Sequence, residues 1–222
     1  MPVGYVVGSV GVSEHSDADN LITSNGGVHV TYTLTPLTSD AIVGAFDMDR
    51  NTGSLVVARK LDREQQSEFR LEIRALDISA SNNPQSSAVT VKVEIADIND
   101  NAPVWEKDPI TIEISEDMPV GSLIYNFTAT DADTGSNSEI QYKLVKQVPT
   151  EHDTFAVDPL TGALTLLTTL DYETLSEYIL IVAATDQSSN VSVRLSTSVT
   201  ARIMIIDTND NNPIFVQPTV KD

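Results

Sequence analysis

The chain has 222 residues, with 32 Asp and Glu against 13 Lys and Arg, for a formal net charge of −19. That balance argues against nucleic acid as a partner, because phosphate binding needs clustered cations. There is no Cys, which excludes disulfides and thiolate chemistry, and no apolar run reaches the length of a membrane span, so this fragment is not expected to insert directly into a membrane.

Hydrophobic residues make up 41% of the chain, enough for packed cores, yet aromatics are only 5%. The apolar material is mostly Val, Ile, Leu and Ala beside many Thr and Ser, which favours strands over helices. In chain order, MPVG at 1–4 precedes an acidic stretch, SEHSDADNLITSN, at 13–25. A turn signal follows at 51–53 (NTG), and LDRE at 61–64 leads into a strand over 69–75. There Phe69, Leu71, Ile73 and Ala75 alternate with Arg70, Glu72 and Arg74. Val89, Val91, Val93 and Ile95 alternate with Thr90, Lys92 and Glu94 in a second strand. ADINDNAPVW at 96–105 is a connector, since Pro103 bars a central strand there. Ile110, Ile112 and Ile114 mark another strand, followed by SED and MPVG at 115–121 and by DADTGSN at 131–137. LTG at 160–162 is a turn, LDYE stands at 170–173, and ATD ends at Asp186. A strand through Val199, Ala201, Ile203 and Ile205 ends in IDTNDNNPIF at 206–215, where Pro213 repeats the stop.

This order is an internal repeat. Residues 46–77 align without a gap on 155–186 at an offset of 109, superposing Phe46/Phe155, Asp49/Asp158, Gly53/Gly162, Asp62/Asp171, Glu64/Glu173 and Asp77/Asp186. The NDN segments align at an offset of 110. A unit of about 110 residues built of short strands predicts an all-β chain of two tandem β-sandwiches. The expected domains are 1–102, with its leading strand missing, then 103–213, with 214–222 opening a following repeat or tail. Truncation is the expected cause of the short first copy, because WEKDPITIEISED precedes only the second MPVG.

The acids recur at matching positions. They are Asp62, Glu64, Asp77, Asp97 and Asp100 in the first copy, and Glu116, Asp131, Asp133, Asp171, Glu173, Asp186, Asp207 and Asp210 in the second. Asn99, Asn101 and Asn137 add neutral oxygens. Six to eight hard oxygens are what Ca2+ takes, whereas zinc prefers His and Cys, and the three His (His15, His29, His152) are scattered. An EF-hand is excluded, because position six of DADTGSN is Ser136 rather than Gly and position twelve is Tyr142 rather than Glu.

LDRE, DINDNAPVW, SEDMPVG, DADTGSN and ATD, in this order, resemble the calcium-binding motifs of the cadherin superfamily across nearly the whole chain. The resemblance implies two seven-stranded Greek-key sandwiches joined by a linker that holds three calcium ions. Carried onto this sequence, it assigns Asp62, Glu64 and Asp100 to the first ion. The second shares Glu64 and Asp100 and adds Asp97, Asp133 and the Ile98 carbonyl. The third takes the Asn99 side chain, the Asn101 and Asn137 carbonyls, Asp131, Asp133 and Asp186. Glu116, Asp171, Glu173, Asp207 and Asp210 form half of a further site completed by a third repeat. The first copy departs from the pattern. It has no glutamate before its MPVG, and its paired acids align either as Glu14 and Ser16 or, with a small insertion, as Asp17 and Asp19. Asp17 and Asp19 are the preferred pair and, with Asp77, would cap a site based on an upstream repeat.

The implied function is that of a calcium-dependent cell-adhesion ectodomain, extracellular and at the cell surface. Calcium stiffens the rod for homophilic or heterophilic binding to another cadherin ectodomain, same or different, and the parent chain is membrane-anchored. The chain has no Trp near its start of the kind that strand-swapping cadherins insert, so an inner pair from a long Fat-, Dachsous- or tip-link-like cadherin is expected. The alternatives are passive spacer repeats of a signalling receptor, or a cadherin-like carbohydrate-binding module. Catalysis is not expected, since there is no Cys, no GxSxG and no clustered His. Asn126-Phe127-Thr128 and Asn190-Val191-Ser192 are glycosylation sequons, Asp49 and Asp158 are expected to fix turns, and Trp105 is expected to be an apolar plug.

Overall fold

The computed structural model describes residues 3–10, 30–37, 44–77, 85–150 and 153–214. Asp17 and Asp19 lie outside them, as do Glu14 and Ser16. The chain divides into two compact units, Met1–Asp97 and Ile98–Asp222.

In the first unit the strands are β1 (Val6–Ser9), β2 (Val30–Pro36), β3 (Phe46–Met48), β4 (Ser54–Val57), β5 (Glu68–Asp77) and β6 (Ser86–Glu94). They form two antiparallel sheets, β1-β4-β3 and β2-β5-β6. Period-two alternation decides what lies between the sheets. Phe69, Leu71 and Ile73 of β5 are buried, with Leu55 and Val57 of β4 and Phe46 and Met48 of β3. Phe46 and Phe69 meet edge to face, 5.1 Å between ring centroids.

The second unit repeats this plan and adds to it. Its strands are β7 (Val104–Trp105), β8 (Ile110–Ser115), β9 (Leu123–Asn126), β10 (Ala129–Thr130), β11 (Ile140–Val148), β12 (Phe155–Val157), β13 (Ala163–Leu166), β14 (Glu177–Asp186) and β15 (Ser196–Ile206). One sheet has the order β12-β13-β9 and the other β11-β14-β15-β8, with β7 and β10 as a short ribbon. Setting that ribbon aside, seven strands build the sandwich. Ile110, Ile112 and Ile114 of β8 are buried against Ala201, Ile203 and Ile205 of the parallel β15. Full burial of one such aliphatic side chain contributes roughly 1.5–3 kcal/mol. The core therefore holds the sandwich, and the exposed Arg202–Glu177 pair adds little. Trp105 packs on Phe127 and Tyr142, with centroids 6.2 and 5.9 Å away, as an apolar plug at the start of the unit.

Among the described residues, the first unit has no counterpart of β8. The consequence shows on β6, whose Val89 is 46% exposed while the equivalent Val199 of β15 is 1% exposed. Val91, Val93 and Ile95 are only partly buried. A groove of about 360 Å³, lined by Val7, Val10, Leu55, Ile73, Val91 and Val93, runs beside β6.

The two matching turns are set by one device. Asp49 Oδ1 accepts from the Asn51 and Thr52 amides, both at 2.8 Å, and Asp158 Oδ1 accepts from the Leu160 and Thr161 amides at 3.0 and 2.8 Å. These amides hold both carboxyls below their ordinary pKa. Each turn then closes on a glycine with positive φ, Gly53 (+68°) and Gly162 (+71°). A Cβ on Gly162 would lie 2.3 Å from the Phe127 carbonyl oxygen, whereas one on Gly121, also at positive φ, would meet nothing within 4 Å. Gly121→Ala is therefore expected to cost only the conformational strain of about 1–2 kcal/mol, and Gly162→Ala clearly more. Thermal denaturation of the two variants checks this, and equal losses would contradict the steric account.

Candidate metal centres

In the first unit, LDRE follows β4 and forms a turn in which the Gln66 amide donates to the Asp62 carbonyl. The Asp62 side chain accepts from the Glu64 and Gln65 amides at 3.0 and 3.3 Å and from Gln65 Nε2 at 2.8 Å. Local donors thus fix Asp62 in place. Arg63 lies between the neighbouring acids. Its Nη2 pairs with Glu64 Oε1, and its Nε lies 2.5 Å from Asp97 Oδ1. The second contact is an ion pair by distance rather than an aligned hydrogen bond. Asp77 ends β5, and its amide donates to the Gln85 carbonyl.

In the second unit, the connector meets two loops, the one that carries Asp131 and Asp133 and the one that follows β14. Asn101 Nδ2 donates to Asp133 Oδ1 at 2.7 Å and its amide donates to Oδ2 at 3.3 Å, which orients a carboxylate that is only 5% exposed. The Asp133 amide in turn donates to Asp131 Oδ1 at 3.0 Å. Asp186 is fully buried at the end of β14 and accepts from the Ser188 and Leu195 amides and from Asn99 Nδ2, at 3.0, 2.6 and 3.0 Å. Burial opposes its charge, but these donors and Arg194 outweigh burial and lower its pKa. Three of its roughly four lone-pair positions are used, leaving about one for another cation. Asn99 Nδ2 also donates to the Val193 carbonyl, while Asn99 Oδ1 is buried and accepts no hydrogen bond. Asp100 and Ile98 are exposed, and Asn137 sits in a short 3-10 turn after Asp133.

A second cluster lies near the C-terminal end of β15. Glu116 is 7% exposed, and its two oxygens accept from the Tyr172 and Thr208 amides, both at 2.6 Å. Glu116, Asp171 and Glu173 each offer an oxygen, all within 4.8 Å of one another. The Asp171 oxygens accept from the Thr174 amide and hydroxyl at 3.3 and 2.6 Å. Asp207 and Asp210 are exposed beyond β15. The Glu173 backbone amide favours its carboxylate, but desolvation and repulsion from Glu116, Asp210 and Asp207 prevail and raise its pKa.

The donor set fits a hard cation in both places. It is all oxygen, it keeps lone pairs in reserve, and it includes one buried amide oxygen, Asn99 Oδ1, without a donor. The roles of Arg63 and Thr208 were not foreseen from sequence. A difference between LDRE and LDYE at one position of a duplicated motif is the signal that could have found Arg63. The sequon residues Asn126 and Asn190 are both exposed, and Asn190 Oδ1 accepts from the Ser192 amide and hydroxyl.

The sequence profile described as "Cadherin domain" matches residues 2–96 and 110–206. Protein dachsous of Drosophila melanogaster is 57% identical over 226 residues, covering 97% of this chain and 6% of that protein. Protocadherin-23 of Homo sapiens is 36% identical over 194 residues, covering 86% of this chain and 6% of that protein. The chain thus spans a small fraction of these relatives. Among solved structures, mouse cadherin-23 EC22-24 superposes with a TM-score of 0.72 at 32% identity, covering 85% of this chain and 57% of that one. The protocadherin gammaB4 extracellular domain gives 0.76 at 30% identity, covering 89% and 30%.

The Glu173 shift yields a signed expectation. Its folded pKa lies above the ordinary 4.5, so the strain at this end is absent at low pH and grows as pH rises through the raised value. In chelator at neutral pH, Glu173→Gln is expected to raise the melting temperature, and the gain should vanish near pH 4. A variant that is destabilised at both pH values would contradict the repulsion.

Proposed function

Since the chain belongs to the cadherin family, we propose that it is a pair of ectodomain repeats, with domains 1–102 and 103–213, whose acids bind calcium and thereby stiffen the chain for cell adhesion. Calcium supplies positive charge and six to eight positions for oxygen. The proposed junction ligands are Asp62, Glu64, Asp97, Asp100, Asp131, Asp133 and Asp186, with Asn99 and the carbonyls of Ile98, Asn101 and Asn137. Glu116, Asp171, Glu173, Asp207 and Asp210 are the proposed half-site for a following repeat. Asp17, Asp19 and Asp77 are proposed for a preceding one.

The observation that carries this reading is the pair of hydrogen-bonded sets, Asn99 with Asp186 and Asn101 with Asp133 and Asp131, that the connector makes within the second unit. Backbone amides orient the carboxylates in advance, so binding orders few groups. These fixed like charges repel one another until neutralised, which ties stiffness to the cation. The partner is proposed to be another cadherin ectodomain, the setting the cell surface, and Asn126 and Asn190 exposed sites for glycan.

Small-angle scattering with and without chelator tests the reading. Removal of calcium is expected to broaden the distribution of dimensions, and identical curves would contradict it. In calorimetric titration, Asp100→Ala is expected to weaken junction binding about tenfold, or about 1.4 kcal/mol. An unchanged isotherm would remove Asp100 from the ligand set.

A further inference from the structure

The two repeats solve the same electrostatic problem in opposite ways. In the LDYE repeat, Glu116, Asp171 and Glu173 each bring a carboxylate oxygen to within 4.8 Å of the others. The residue between the two acids there is Tyr172, 38% exposed, which contributes only its backbone amide to Glu116. In LDRE the same position is Arg63. Its side chain is only 14% exposed and is shared between Glu64 and Asp97, which are themselves 23% and 17% exposed. A guanidinium held between two carboxylates and largely shielded from water is screened less than a surface pair.

We propose that Arg63 is a counter-cation built into the first repeat, which neutralises Glu64 and Asp97 when calcium is absent and so lowers the calcium affinity of that site. The inference rests on the calcium reading of these acids. Arg63 affects calcium in one of two ways. It gives up its two partners, at a cost set by those ion pairs, or it stays beside them and repels a dication at short range. Both weaken binding. In return, without calcium the guanidinium offsets the repulsion between Glu64 and Asp97. The residue at this one position therefore trades stability without calcium against affinity for it.

The test is a reciprocal exchange in the full 222-residue chain, read by calcium titration and by melting temperature in chelator. Arg63→Tyr is expected to tighten calcium binding on the order of tenfold while lowering the melting temperature of the calcium-free protein. Arg63→Lys keeps the charge and is expected to stay close to the parent in both readouts. Tyr172→Arg is expected to raise the melting temperature in chelator. A merely structural role for Arg63 would lower stability in chelator and weaken or leave unchanged the calcium affinity, so opposite signs are the diagnostic. If the parent chain binds calcium and Arg63→Tyr does not bind it more tightly, the proposal is overturned. If the parent chain binds no calcium at all, the calcium reading itself falls, and that outcome is visible before any variant is made.

Discussion

Backbone amides aimed at carboxylates are the interaction on which the rest depends. Asp186 and Glu116 are buried acids that form no ion pair within 4 Å among the described residues, and each is held by two main-chain N–H groups. An isolated buried charge is costly, and several hydrogen bonds to its ionised form offset much of that cost. The result is a set of carboxylate oxygens at strand ends that main-chain donors hold in place. On the proposed reading, a cation relieves the repulsion among them.

The sandwich supplies the rigidity that makes such placement possible. Asp186 ends β14, a ten-residue strand paired on both sides. Glu116 follows β8, whose parallel ladder with β15 sets it against Thr208. Short loops at the ends of long paired strands hold the acids more precisely than free loops would. Turn chemistry elsewhere is kept separate from this set. Asp49 and Asp158 spend their oxygens on their own turns.

Much of this was legible in the sequence because the signals were local. Alternation located β5, β8 and β15, and the Asp-x-x-Thr-Gly turns fell where Gly53 and Gly162 have positive φ. The duplicated acids marked the sites through repetition. What escaped was non-local. The inward row of β6 reads like that of β15, yet its burial depends on a neighbouring strand, and Val89 is left 46% exposed. Arg63 carries no signal of its own in the sequence beyond the contrast with Tyr172, and its position between Glu64 and Asp97 is a product of folding. Asn99 reads as a ligand amide, and its double donation to Asp186 and Val193 is a product of folding.

The central claim is that specific cation binding, rather than general screening, relieves the fixed carboxylates. It is tested most directly by the melting temperature of the intact chain across a calcium titration, set beside a sodium chloride series of matched ionic strength. Binding to the folded state alone predicts a melting temperature that climbs steadily with the logarithm of free calcium, well above anything sodium produces. Superimposable calcium and sodium curves would contradict the account.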